Sequence, residues 1–282
     1  MKSILNSDIQ VSSILAYIRN RQNKDGGYTF AQWTESSAED TFFAIRILDM
    51  LKTQPLRVTD TIRFLKELQH PNGSYDSIKV AYYCITALLV LGSTPRFDVR
   101  NYANSLQGVH GGFGSLEANI ETSSDLETTF LTLCLLKHID NTQSDNVVKF
   151  VLGRLNNDGS FGRSGYSTLA GVHFALATLK LLDYDVQSLE GTLRWLRYCE
   201  LPIGGFTTTP RDTSYLVIDE LYHGLNALRY FGSDPLYATA HLRLLSRFQN
   251  GNGGFRRSIF LGISTFESTF YALTCLRLLK NS

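Results

Sequence analysis

The side chains best suited to chemistry in this sequence are His173, Asp219, Glu220 and His223. Asp219 and His223 stand four residues apart, so on a helix they share one face, and a carboxylate beside an imidazole can orient it as a general base. With His173 turned toward them, the same group would make a mixed histidine and carboxylate metal site, although single histidines on apolar helices are usually hydrogen-bonded core residues. Arg163, Arg211, Arg256 and Arg257 form a second set, because clustered guanidiniums grip diphosphate oxygens bidentately; dispersed loop arginines are the plainer reading. Carboxylates make a third set, Glu39, Asp40, Glu127, Asp219, Glu220 and Glu267, as general acids or metal ligands.

These residues are positioned by a repeat. A seven-residue phrase returns as QNKDGGY (Gln22–Tyr28), QHPNGSY (Gln69–Tyr75), QGVHGGF (Gln107–Phe113), LNNDGSF (Leu155–Phe161), ELPIGGF (Glu200–Phe206) and QNGNGGF (Gln249–Phe255). Its closing aromatics are 47, 38, 48, 45 and 49 residues apart, the range of stacked supersecondary units. Each phrase follows a helical apolar pattern, such as Ile62, Leu65 and Leu68, and its glycines supply the positive-φ positions that end a helix and turn the chain. A second helix follows, apolar on most faces, as in KVAYYCITALLVLG or ESTFYALTCLRLL. Ser36 to Glu39, Ser124 to Glu127 and Ser264 to Glu267 read as capping boxes, a role that would account for those three glutamates without catalysis.

Six hairpins of one amphipathic and one apolar helix, with no capping repeat at either end, predict an all-α fold, an (α/α)6 toroid with almost no β structure. Residues 7–282 form its single domain. The inner helices would start at one mouth, where the register column reads Asp40, Val80, Thr128, Gly171, Glu220 and Ser268. The next lumen-facing positions are Phe43, Tyr83, Leu131, Phe174, His223 and Tyr271, an aromatic wall that suits an isoprenoid chain or fills a narrow, ligand-free barrel.

With 43% hydrophobic, 12% aromatic and 19% charged residues, the composition is that of a globular protein with a large core. The net charge of +1 and the lack of basic runs exclude nucleic acid and anionic membrane as electrostatic partners. Cys84, Cys134, Cys199 and Cys275 have no CxxC spacing and read as small buried hydrophobes in a reducing compartment. No apolar run is long enough for a transmembrane segment and the N-terminus lacks a signal-peptide core, so the cytoplasm is the expected location.

The glutamine, Gly-Gly and aromatic spacing, followed by a helix of type SxxExTFxAL, resembles the repeat of the prenyltransferase and terpenoid cyclase superfamily over nearly the whole chain. Leu155 and Glu200 depart from it at the glutamine, and the closing aromatics are all Tyr or Phe, as on the protein prenyltransferase β-subunit side. That resemblance implies a prenyl diphosphate or prenylated substrate in an aromatic cavity, a transferase or cyclase activity, an α-type protein subunit as partner and Mg²⁺ where a diphosphate is bound. It implies Asp40, Phe43, Tyr83, Arg163, Phe174, Arg211, Arg256 and Tyr271 as substrate-binding, and His173, Asp219, Glu220 and His223 as catalytic candidates.

The family's prenyltransferases hold zinc with an Asp-x-Cys and a His at the mouth. Here Leu169 and Gly171 stand at the first two positions and no Cys or His appears in the column, so zinc is not expected. Tyr166 replaces a family lysine, and the Asp-rich motif of the cyclases is missing. A non-catalytic toroid that binds a lipid or a partner protein is the alternative function.

Overall fold

The computed structural model describes residues 11–114, 125–137, 144–163, 166–210, 212 and 216–280. Helices alternate between two layers. The outer ones are α1 (Val11–Arg19), α3 (Val58–Glu67), α5 (Arg100–Ser105), α7 (Ser144–Leu152), α9 (Glu190–Cys199) and α11 (Ala238–Ser246). The inner ones are α2 (Ala38–Met50), α4 (Ile78–Val90), α6 (Leu126–Lys137), α8 (Leu169–Leu181), α10 (Ile218–Tyr230) and α12 (Phe266–Lys280). Each inner helix packs on the next, and α12 packs on α2, which closes the ring.

Closure is a backbone-level fit. The first glycine of the phrase takes a left-handed φ, +91° at Gly26 and +91° at Gly253, which a side chain would strain. A Cβ there would lie 2.3 Å from the backbone of the following outer helix: Asp60 for Gly26, and for Gly253 the carbonyl of Ser13 on α1. The sixth phrase therefore meets the first outer helix as the first phrase meets α3. The Tyr17 hydroxyl, donating to the Ser264 carbonyl at 2.9 Å, ties the same seam.

The first and last residues of the phrase pair as antiparallel bridges, as in Gln22 with Tyr28 and Gln249 with Phe255. Between them the glutamine side chain makes two connections. Gln69 Nε2 donates to the carbonyls of Gly73 (3.1 Å) and Phe97 (2.9 Å), while its Oε1 accepts from Phe97 N–H at 2.9 Å, so the loop is joined to the start of the next hairpin. The closing aromatics Tyr28, Phe113, Phe161, Phe206 and Phe255 are each at most 2% exposed and anchor the inner helices. Among the described residues the strands are two short ribbons, in keeping with the expected scarcity of β structure: β1 (Gly162–Arg163) pairs with β2 (Tyr166–Ser167), and β3 (Phe255–Arg256) with β4 (Ser264–Thr265), extending the fourth and sixth phrases.

The helix caps sit one residue later than expected. Ser37, not Ser36, accepts from Asp40 N–H (3.0 Å), Thr265 accepts from Ser268 N–H (3.1 Å), and Asp125 Oδ1 accepts from Thr128 N–H (2.6 Å); Ser124 lies outside the described residues. The hydroxyls of Ser36 and Ser264 are spent instead on the phrase, accepting from Asn23 (3.0 Å) and Asn250 (3.0 Å). Thus Glu39, Glu127 and Glu267 do not occupy the third position of a capping box.

Glu200, where glutamine is lost, keeps the joint by other means. Its buried Oε1 accepts from the backbone N–H of Leu236 (2.6 Å) and Tyr237 (3.2 Å) and from His241 Nε2 (3.2 Å), while Oε2 pairs with Arg197 (2.7 Å). His241 Nδ1 accepts from Gly205 N–H at 2.9 Å, so a neutral imidazole relays the missing amide donor to the loop. Burial raises the Glu200 pKa, but the bonds from His241, Arg197 and Tyr237 outweigh it, and the net shift is below 4.5. A depressed carboxylate pKa means that this stabilisation is present above about pH 4.5 and is lost as pH falls through the folded value. Glu200→Ala is expected to cost about 3–5 kcal/mol in urea denaturation at pH 7, because it strands Arg197 and two backbone donors; a loss below about 1 kcal/mol would refute that role.

Candidate functional site

With the caps assigned, the stripe of each inner helix that faces the lumen is set by helical spacing at two, five to six and nine residues past the cap. The first level is Glu39, Lys79, Glu127, Ala170, Asp219 and Glu267, a charged rim. Lys79 Nζ pairs with Glu127 at 2.8 Å, Tyr271 O–H donates to Glu267 at 2.9 Å, and Arg257 Nε reaches both Asp219 oxygens at 3.2 and 3.1 Å. Burial raises the Glu267 pKa; the bond from Tyr271 opposes it, and neighbouring Glu39 and Asp219 add to it. Asp40 and Glu220, one residue further on, turn away from the rim. Asp40 Oδ2 accepts from Phe30 N–H (3.2 Å), and Glu220 Oε1 accepts from Thr208 O–H (2.7 Å).

Below the rim, every inner helix carries an adjacent pair: Phe42-Phe43, Tyr82-Tyr83, Phe130-Leu131, His173-Phe174, Tyr222-His223 and Phe270-Tyr271. Sequence reasoning found the second member of each pair and, of the first members, only His173. The repeated doublet was the signal, since two neighbours 100° apart on a helix can flank one lumen-facing line. The rings touch from helix to helix. Phe42 lies 4.9 Å from Tyr83, Phe43 5.6 Å from Phe270, Tyr222 is stacked 4.0 Å from Tyr271, His173 is 5.6 Å from Tyr222, and Phe130 is 5.8 Å from Phe174. Among the described residues no ring contact joins Phe130 to Tyr82 or Tyr83, so the belt has its gap between α4 and α6. Tyr82, Tyr83, Phe130, Phe174, Tyr222 and Tyr271 all keep partial exposure.

The predicted histidine and carboxylate group divides into three. His173 and His223 meet across α8 and α10, Nδ1 to Nδ1 at 2.7 Å, which requires one ring to donate and the other to accept. Burial holds His173 well below 6.5, with His223 adding to the shift, and burial lowers His223 to about 4. Asp219 is committed to Arg257 rather than to His223. Glu220 retains a buried Oε2 without a partner, and burial raises its pKa.

Arg163 is exposed on β1 and lines a cavity of about 270 Å³ with Glu127, Arg154, Tyr166, Gly171 and Phe174, between the starts of α6 and α8. Arg256 is engaged locally: its Nη2 donates to the carbonyls of Arg247 (3.2 Å) and Ile259 (2.9 Å). Arg211 lies outside the described residues. A larger groove of about 1140 Å³, bounded by Asn156, Ser160, Trp195 and Pro210, shares none of its lining residues with the lumen.

Comparison with known proteins agrees with the toroid fold. The model of the prenyltransferase alpha-alpha toroid domain matches residues 1–76, 74–216 and 217–282. The chain belongs to the prenyltransferase α/α toroid family. This toroid is 24% identical over 193 residues to the protein farnesyltransferase subunit beta of Schizosaccharomyces pombe, a match covering 63% of this chain and 50% of that protein, so it spans about half the length of that curated relative. Its fold is similar to that of Candida albicans protein geranylgeranyltransferase-I complexed with GGPP (TM-score 0.70, 20% identity, 87% of this chain and 84% of that one). It is also similar to a variant of the type II terpene cyclase MstE from Scytonema in complex with geranylgeranyl dihydroxybenzoate (TM-score 0.63, 14% identity, 95% of each chain).

Leu169 is fully buried, Gly171 has no side chain, and among the described residues no three His, Cys, Asp or Glu side chains gather as a metal-ligand group. Among the described residues no helix is long and apolar enough to cross a membrane.

The histidine pair makes a pH prediction. The folded toroid resists charging these rings, so below 6.5 the unfolded chain takes protons first; stability is full above 6.5 and falls as pH drops toward about 4 for His223. His173→Phe with His223→Leu, the pair α6 already carries as Phe130 and Leu131, is expected to flatten that slope by about 1.4 kcal/mol per pH unit for each proton no longer taken up, measured by denaturant melts at pH 7, 6 and 5; an unaltered slope would refute it.

Proposed function

We propose that this toroid handles an isoprenoid: it binds a prenyl diphosphate or a prenylated molecule with the hydrocarbon chain lying against the aromatic doublets of the lumen. The observation that carries this reading is the belt itself, which presents ring faces from all six inner helices. Such faces pack against branched hydrocarbon and stabilise developing positive charge by cation–π attraction. The ligands named for the structural neighbours, GGPP and geranylgeranyl dihydroxybenzoate, are of the same chemical kind.

As an enzyme of this class, the toroid would use Arg163 to meet an anionic group at the rim, with the belt excluding water from the chain. No zinc-activated thiol chemistry is assigned, because the residues at those positions do not offer its ligands.

A second reading, a toroid that retains a lipid or partner without transforming it, is favoured by a specific observation. Asp219, Glu127, Glu267, His173 and His223 already satisfy one another or their neighbours. Exposed Trp33, Phe260, Leu261 and Ile263 beside the starts of α2 and α12 support an α-type subunit covering that side.

Native mass spectrometry of protein purified from its own host separates the readings, since it records a retained isoprenoid, a bound subunit or neither. Phe43→Leu with Tyr83→Leu is expected to weaken binding of geranylgeranyl diphosphate about tenfold, ~1.4 kcal/mol, in isothermal titration calorimetry. An unchanged affinity would place the ligand elsewhere.

A further inference from the structure

Nine residues past the cap, the lumen stripe becomes polar: Arg46, Thr86, Cys134, Ala177, Asn226 and Thr274. Arg46 is the cation of this level. Its Cζ lies over the rings of Phe42 (5.9 Å) and Phe270 (5.6 Å), and its Nε is buried with no hydrogen-bond partner. Among the described residues no carboxylate pairs with it. The lumen's carboxylates, Glu39, Glu127, Asp219 and Glu267, stand at the rim, seven residues or about 10 Å up the helix axis.

Two tyrosines on different helices adjoin the rings beneath Arg46: Tyr82 lies 5.6 Å from Phe42, and Tyr222 6.2 Å from Phe270. Burial raises the pKa of Tyr82 on α4 to about 12 and that of Tyr222 on α10 higher still, while the charge of Arg46 acts on both in the opposite direction. Tyr222 also interacts with Tyr82 and Tyr230. Among the described residues the hydroxyls of Tyr222 and Tyr230 make no hydrogen bond. A guanidinium with phenol donors around it and no counter-charge is a costly arrangement to leave bare, because a buried cation loses its hydration and aromatic faces return only part of it. Among the described residues the rim level carries mostly carboxylates and the level nine past the cap carries Arg46 as its cation, so an anion is disfavoured at the first level and attracted at the second.

We propose that Arg46, assisted by the hydroxyls of Tyr82 and Tyr222, receives an oxyanion at the floor of the lumen: the carboxylate or phosphate of an isoprenoid bound with its charged end inward. The proposal rests on the reading that an isoprenoid occupies the lumen, and it places the ligand's anionic end at Arg46 in place of Arg163 at the rim. Carboxylate and phosphate share the recognition chemistry, since both offer two oxygens to a guanidinium fork.

The test titrates geranylgeranoic acid, geranylgeranyl phosphate and geranylgeraniol into the wild type, Arg46→Met and Arg46→Lys by calorimetry, with thermal melts of each unliganded protein. In the wild type at least one of the two anions is expected to bind tenfold or more tightly than the alcohol, and the tighter anion identifies the oxyanion. Arg46→Met is expected to erase that preference while holding alcohol affinity within about threefold, and Arg46→Lys to keep part of it. The Tm of unliganded Arg46→Met should be unchanged or higher, because an uncompensated charge is removed. Equal binding of acid, phosphate and alcohol by the wild type would overturn the oxyanion site and leave the isoprenoid reading standing. No binding of any probe would overturn both. A lower Tm for Arg46→Met with equal loss on all three probes would make Arg46 structural and end the proposal.

Discussion

Everything in this molecule depends on a contact too close for a side chain: the first glycine of each phrase against the backbone of the next outer helix. At Gly26, Gly73, Gly111, Gly159, Gly204 and Gly253 an added Cβ would approach that neighbour to 2.3 or 2.4 Å. Six such contacts in sequence set the rotation from one hairpin to the next, and the last falls on α1. A ring therefore closes without terminal caps, and each hairpin is held by two neighbours. The same contacts bring all six inner helix starts to one rim, so that residues from distant parts of the chain share levels along a common axis.

That axis has a gradient of chemistry. Charged side chains at the rim are largely paired, the aromatic doublets below them make an apolar belt, and beneath the belt Arg46 stands without an anion. Helical spacing alone produces these levels, because residues two, five to six and nine past a cap fall on one line. Most polar groups that sequence reasoning offered as catalytic are consumed by partners: Asp219 by Arg257, and His173 by His223. Among the buried polar atoms left without a partner are an oxygen of Glu220 and the Nε of Arg46. Buried groups left without partners are the ones whose cost a ligand can offset.

The fold was legible because its determinants repeat. Glutamine, glycine and aromatic recur at fixed spacing, and six copies of one weak pattern leave few architectures that could satisfy all of them. Where one copy departed, as at Glu200, the structure supplied His241 from the next hairpin, a compensation that no local pattern would disclose. The cap was misplaced by one residue because Ser36 and Ser264 also precede their helices and carry the right hydroxyl. Only the folded loop shows those hydroxyls turned to Asn23 and Asn250, leaving Ser37 and Thr265 to cap. A shift of one residue rotates a helix by 100°, and this moved Glu39, Glu127 and Glu267 into the lumen rim and Asp40 and Glu220 out of it.

By itself, then, the sequence determined the toroid, its six hairpins, the order of its helices and the aromatic character of its interior, since these follow from periodicity and from the steric demands of glycine and bulky rings. Tertiary structure alone decided which charges face one another. The pairing of His173 with His223, of Asp219 with Arg257, and the isolation of Arg46 depend on contacts between helices 35 to 50 residues apart or on opposite sides of the ring, and electrostatic partnership is a matter of distance in space that no spacing along the chain encodes.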